Sequence, residues 1–215
     1  MRELRYTLVA NGVSDVALLP ILTWLLRTHG VCCAIQDQWA DLRLSPRAKK
    51  WGLDDRIRWS LNLYPCDLLF VHRDAEREPR EKRVDEINKA IEKVATSQPI
   101  PPVVCVVPVR MQEAWLLFDE VAIRYAAGNR SGRQALDLPP IKRLEDLPDP
   151  KAELYALLKQ ASGRSGRRLR RFPLHSRARR VTEFIDDFGP LRALSAFVAL
   201  EDDVKHIVGQ YGWRT

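Results

Sequence analysis

The sequence predicts an α/β fold: a mostly parallel sheet with helices on both faces, followed by a helical extension. Three observations carry that expectation. Four apolar runs of five to seven residues alternate with longer segments whose apolar residues recur at helical spacing. The runs are continuous instead of alternating with polar residues, as in strands buried on both faces of a parallel sheet. After the fourth run the chain holds helical segments only.

Leu4 to Ala10 reads as the first strand, and Asn11-Gly12-Val13-Ser14 as the turn that ends it. Ser14 or Asp15 is placed to cap a helix from Val16 to His29. Pro20 falls in the first turns of that helix, where proline is tolerated. Val31 to Ile35 is the second strand, and Gln38 to Arg43 a loop. Ser45-Pro46 opens a helix from Arg47 to Leu63, weakened at Gly52. Leu68 to His72 is the third strand. Arg83 to Thr96 is amphipathic, with Ile87, Ala90, Ile91 and Val94 on one face. Val103 to Val107, flanked by prolines, is the fourth strand, and Met111 to Ala127 a helix ending near Gly128-Asn129. Helices are expected over Pro150 to Ala161, Ser176 to Phe188 and Pro190 to Tyr211. This divides the chain into an α/β domain (1–128), a proline-rich surface loop (129–150) and a basic helical extension (151–215).

The net charge of +7 is unevenly placed. Residues 151–215 hold 13 basic and 7 acidic residues, against 22 and 21 before them, so the excess is C-terminal. That asymmetry points toward a polyanion partner. Cys32, Cys33, Cys66 and Cys105 lack C-x-x-C spacing and read as free thiols of a reducing compartment. Neither they nor the four histidines show zinc-ligand spacing. No apolar run approaches the length of a membrane span, and charges interrupt the start of the chain, so a cytoplasmic protein with no membrane association is expected.

Three clusters fall at one expected edge of the sheet: Asn11 to Asp15 after the first strand, Asp74-Ala75-Glu76 after the third, and Arg110 to Glu113 after the fourth. Parallel strands all end on one side, where open α/β sheets bind ligands. In extended backbone Asp74 and Glu76 point the same way. Convergence would gather Asp15, Asp74, Glu76 and Glu113, with Arg73 and Arg110 nearby. Acids so gathered repel unless a cation neutralises them, and Mg²⁺ or Mn²⁺ takes oxygen ligands of this kind. The bland alternative is a set of solvated loop acids, with Glu113 stabilised by a helix dipole. His72, at the end of its strand, reads as a packed core residue or as a proton shuttle.

These residues also resemble a family. Leu8-Val9-x-Asn11-Gly12-x-Ser14-Asp15-x-x-x-Leu19-Pro20-x-Leu22, followed by Asp74-x-Glu76, resembles the TOPRIM domain of topoisomerases, primases and OLD-type nucleases. His72 to Glu76, Val109 to Leu117 and Leu138 to Pro150 are similar to an uncharacterised bacterial TOPRIM-like family, over most of the chain. Related families are often encoded beside an ATPase and are proposed to act in phage defence or nucleic-acid cleavage. The resemblance implies a TOPRIM-like fold over residues 4–119. It also implies a metal held by Asp74 and Glu76, with Asp15, Asn11 and Glu113 as further candidates. The usual pattern has glutamate where this chain has Asn11, and aspartate where it has Glu76. Asn11 cannot serve as a general base, and Glu113 is the acid most able to replace the missing one.

At such a site the metal would orient and polarise a phosphodiester and supply the attacking water. Arg73 or Arg110 would offset charge developing in the transition state. Arg164 to Arg180 holds eight arginines in seventeen residues. There Arg164, Arg167, Arg168, Arg170 and Arg171 would neutralise phosphates, with Phe172 stacking on a base. Otherwise the cluster is a solvated face paired with Glu183, Asp186 and Asp187. The sequence therefore leaves two readings: a metal-dependent nuclease or phosphoryl-transfer enzyme, or a non-catalytic subunit binding nucleic acid or an ATPase.

Overall fold

The structure, a computed structural model, describes residues 3–43, 50–76 and 78–214. Four parallel strands form one sheet: β1 (Glu3–Val9), β2 (Ala34–Trp39), β3 (Leu68–His72) and β4 (Val103–Val106), in the order β2-β1-β3-β4. The helices are α1 (Leu18–Thr28), α2 (Leu53–Leu63), α3 (Arg80–Ala95), α4 (Glu120–Ala127), α5 (Pro150–Ala161), α6 (Gly166–Arg170), α7 (Leu174–Arg179) and α8 (Ser195–Gln210). The expected α/β class, with helices on both faces and a helical C-terminal part, is what forms.

Alternation along the strands splits the core in two. Leu4, Tyr6, Leu8, Leu68, Phe70, Val104 and Val106 face α1, α8 and the other C-terminal helices. Val9, Leu69 and Val71 face Ile57 of α2 and Ile87, Ala90 and Val94 of α3. The C-terminal segment thus shares the core of the sheet: Phe197 of α8 packs edge-on against Trp115. Among the described residues no helix is long and apolar enough to cross a membrane.

Several boundaries differ from expectation. The second strand begins at Ala34, not Val31, and runs on through Gln36, Asp37 and Gln38. Arg27 takes the Val31 and Cys33 carbonyls at 2.6 and 2.5 Å, which removes them from a ladder. β2 is also an outer strand and largely exposed, so it needs no apolar run. The expected helix 111–127 divides into a 3₁₀ turn at Gln112–Leu116 and α4, restarted where the Asp119 carboxylate accepts the Ala122 N–H at 2.9 Å. The first helix is likewise preceded by a 3₁₀ turn, Val13–Ala17.

α2 starts after Gly52; the expected start near Arg47 lies outside the described residues. The expected helix 176–188 is instead α7 and a 3₁₀ turn at Val181–Phe184. Pro190 opens only a short turn, because Leu194 is extended and α8 begins after it. Glu145 sets that start, accepting the Ser195 and Ala196 N–H groups at 3.1 and 2.9 Å. The proline-rich stretch 129–150 is accordingly more than a surface loop: it carries this cap, and Leu136 and Leu144 are buried in the core.

Candidate functional site

The strand order reverses between β1 and β3, since the chain passes from β1 to β2 on one side and then to β3 on the other. In open α/β sheets the crevice at that switch point, beyond the carboxyl ends, is the ligand site. The β1 loop (Asn11 to Asp15) and the β3 loop (Arg73 to Glu76) flank it here. A cleft of about 320 Å³ opens between them, lined by Asn11, Asp15, His72, Asp74, Glu76 and Arg83 among others.

His72 is the hub. It has the same parity along β3 as Leu68 and Phe70, so its ring points to the α1 side of the sheet, and it is 3% exposed. Asp74, two residues on, shares that side: the chain stays strand-like past His72, with Arg73 N–H on Val106 and Ala75 N–H on Pro108. His72 Nε2 lies 3.2 Å from Asp74 Oδ1, and Nδ1 3.5 Å from Asp15 Oδ2. Both are ion-pair distances, yet neither ring nitrogen meets hydrogen-bond geometry. Burial would push the imidazole down; Asp15 and Asp74 outweigh it and raise His72 to about 9.

Asp15, 5% exposed, is fully engaged. Its Oδ2 accepts the Gly12 N–H at 2.8 Å, and its Oδ1 accepts the Ser14 hydroxyl at 3.1 Å and the Gln112 amide at 2.9 Å. Burial would raise this carboxyl, but His72, the Gly12 N–H and the Ser14 hydroxyl hold it below the ordinary range. Gln112 ties the loops together, because its backbone N–H also donates to Asp74 Oδ1 at 3.1 Å.

Backbone strain marks the same edge. Glu76 and Arg110 are the non-glycine residues with positive φ among the described residues, at 58° and 60°. The Glu76 N–H donates to the Arg110 carbonyl at 3.1 Å, so two left-handed residues face each other across adjacent loops. Such conformations cost about 1–3 kcal/mol each and gather at functional sites.

Comparison with protein-family models, with curated proteins and with solved structures finds no match for the chain. What the site can do therefore rests on its geometry.

Asp74, Glu76, Asp15 and Asn11 do share one cleft. Glu113 lies at the same edge but opens into the adjoining cavity, where Lys151 Nζ sits 3.1 Å from its carboxylate. Burial would lower Lys151, and Glu113 more than offsets that, raising it. Asn11 Oδ1 accepts from the Arg56 guanidinium at 3.1 Å. Arg73 lines the cleft but pairs with Glu86 of α3 at 2.9 Å. Arg110 meets Glu76 through its carbonyl. Arg83, which sequence reasoning did not single out, bridges Glu86 at 2.9 Å and Glu76 at 3.5 Å. Phe172 is 6% exposed and capped by Arg164, so it offers no face to a base. Arg167, Arg168, Arg170 and Arg171 are exposed, and among the described residues none forms an ion pair; Glu183 pairs with Arg180 instead.

The donor set fits a divalent cation in one limited way. Among the described residues no three His, Cys, Asp or Glu side chains converge to hold a metal, so the expected multi-acid centre is not assembled. Asp74 Oδ2, however, accepts from no donor among the described residues, and the Glu76 side chain is 70% exposed. Mg²⁺ commonly takes one or two carboxylates and completes its shell with water and substrate phosphates. Of that kind of site the described residues offer one unpartnered carboxylate oxygen, Asp74 Oδ2, while Glu76 lies 3.5 Å from Arg83.

Proposed function

We propose that the chain is a phosphodiester-cleaving or related phosphoryl-transfer protein acting on nucleic acid, with its reaction centre at the β1–β3 switch point. The observation that carries this reading is the buried Asp15–His72–Asp74 array, which pins Asp74 at the mouth of the cleft with one carboxylate oxygen free. Asp74 and Glu76 would hold Mg²⁺ or Mn²⁺, which when bound polarises a phosphodiester and activates water.

The chain's own residues do the remaining work. His72 stores a proton between two carboxylates, and the Gln112 N–H holds the Asp74 carboxylate in place. Arg83, at the Glu76 side of the cleft, adds positive charge where a phosphate would sit. The exposed arginines of α6 supply sequence-tolerant phosphate contacts. The resemblance to families encoded beside an ATPase supports a protein partner and a role in phage defence.

One observation favours a second reading, a non-catalytic nucleic-acid-binding or ATPase-partner subunit. The charged His72 ring already supplies the neutralising charge between Asp15 and Asp74 that a cation would bring. Calorimetric titration of Mn²⁺ into the protein with a single-stranded oligonucleotide present separates the two. The enzyme reading expects millimolar or tighter binding that Asp74→Asn abolishes; no binding by the folded wild type supports the subunit.

A further inference from the structure

Against the acidic cleft, with Ser14 as a shared wall, lies a second cavity of about 280 Å³. The chemistry above does not use it. Its apolar side is Val13, Ala17, Leu116 and Ala178. Its polar side comes from distant parts of the chain: Gln112 and Glu113 after β4, Lys151 and Tyr155 on α5, and His175 and Arg179 on α7. Each helix contributes residues four apart, which puts both side chains of a pair on one face.

Three features define what would fill it. First, the charges do not cancel: Lys151 is matched by buried Glu113, whereas the Arg179 guanidinium has no hydrogen bond or ion pair among the described residues. Arg179 also borders a groove holding Asp37, Glu183 and Asp186, yet none is within 4.0 Å of it. Second, a buried acceptor is orphaned. Gln112 Nε2 must donate to the Asp15 carboxylate, so the amide orientation is fixed. Its Oε1 is then left buried with no donor. Third, the Tyr155 hydroxyl and His175 Nδ1, 2.7 Å apart, form a polar aromatic rim at the mouth. The occupant therefore needs an anionic group for Arg179 and Lys151 and a hydroxyl donor for Gln112. The volume is near the lower end of small-ligand sites.

We propose that this cavity binds one nucleotide unit, its phosphate on Arg179 and Lys151 and a sugar hydroxyl on Gln112 Oε1. The proposal rests on the phosphodiester reading of the neighbouring cleft: the unit bound is the nucleotide beside the bond under attack.

The test is calorimetry with adenosine 5′-monophosphate and, separately, inorganic phosphate, on the wild type and on Arg179→Gln and Arg179→Lys, each checked for an unchanged melting transition. The nucleotide is expected to bind the wild type and to bind Arg179→Gln about tenfold or more weakly, the loss typical of one charge-assisted hydrogen bond. Arg179→Lys, which keeps the charge, should recover most of the affinity. Free phosphate should bind more weakly than the nucleotide. No binding by the folded wild type, or equal binding by Arg179→Gln, overturns the proposal. Phosphate binding as tightly as the nucleotide removes the sugar contact and overturns the nucleotide assignment. Cleavage assays on Asp74→Asn keep the two ideas apart. Nucleotide binding without Asp74-dependent cleavage sinks the reaction reading alone; cleavage without nucleotide binding sinks this subsite alone.

Discussion

The acidic cleft and the Lys151 cavity share Ser14 as a wall, yet they are assembled from different parts of the chain. The cleft is made by loops leaving two adjacent parallel strands, and its charge is balanced inside by His72. The cavity is closed by helices contributed more than 75 residues after β3, and its charge is balanced only in part, by Lys151 on Glu113. Topology fixes the first wherever the sheet forms; the second exists only when α5 and α7 dock. The difference teaches that a switch-point crevice and its neighbour can be built from different parts of the chain and still be joined by one side chain, Gln112, and mutations should show how far they separate.

The largest effect is expected at the hub. His72→Ala leaves Asp15 buried without its cation and should cost about 3–5 kcal/mol, read from urea unfolding. The double variant Asp15→Asn, His72→Ala should recover part of that loss. Equal losses in single and double variants would mean that packing, not charge, holds the cleft.

Alkaline pH should probe the same hub without mutation. The folded His72 value of about 9 stands above its ordinary 6.5, so its contribution is whole below pH 6.5 and vanishes as pH rises through about 9. The size is on the order of 3 kcal/mol. Asp15 is shifted the other way, so its share is present above about pH 3.8 and is lost as pH falls below that. Lys151 is raised from 10.5, so the cavity weakens only at still higher pH. Urea midpoints between pH 5.5 and 10 should therefore fall in the wild type before Lys151 titrates. A flat profile up to pH 10 would show that His72 carries no charge.

At the cavity, Lys151→Ala strips the buried Glu113 of its partner. Because Lys151 is more than a third exposed, water screens the loss, and about 1–2 kcal/mol is expected. A loss as large as that of His72→Ala would mean that the two regions are not separable.

The smallest stability effect is expected on α6. Replacing Arg167, Arg168, Arg170 and Arg171 with alanine should move stability by less than about 0.5 kcal/mol, since none is paired among the described residues. Nucleic-acid binding should weaken alike for all sequences, each lost phosphate contact flattening the log–log salt slope by about 0.7 to 0.9. Unchanged binding would confine recognition to the two cavities.

The strands were legible where burial is two-sided: Leu68 to His72 lies where its apolar run predicts. β2 was not, because an outer strand tolerates Gln36-Asp37-Gln38 and because Arg27 takes carbonyls that periodicity cannot see. The meeting of Asp15, Asp74 and Glu76 followed from parallel strands ending together. Glu113 shared their edge but not their cleft, since its side chain turns to Lys151, a partner 38 residues away that no local pattern reveals. His72 was legible in part: two residues before Asp74 in extended backbone, it had to share that side. Phe172 was misleading, because an aromatic in an arginine run reads as a stacking platform until the core claims it.

The central claim is that the β1–β3 crevice is where a phosphodiester reacts, and cleavage of an end-labelled oligonucleotide in Mn²⁺ by the wild type and by Asp74→Asn tests it most directly. The account predicts cation-dependent cleavage that falls by about a hundredfold or more in the folded variant. Cleavage that survives Asp74→Asn, or a folded wild type that neither cleaves nor binds the cation, would contradict it.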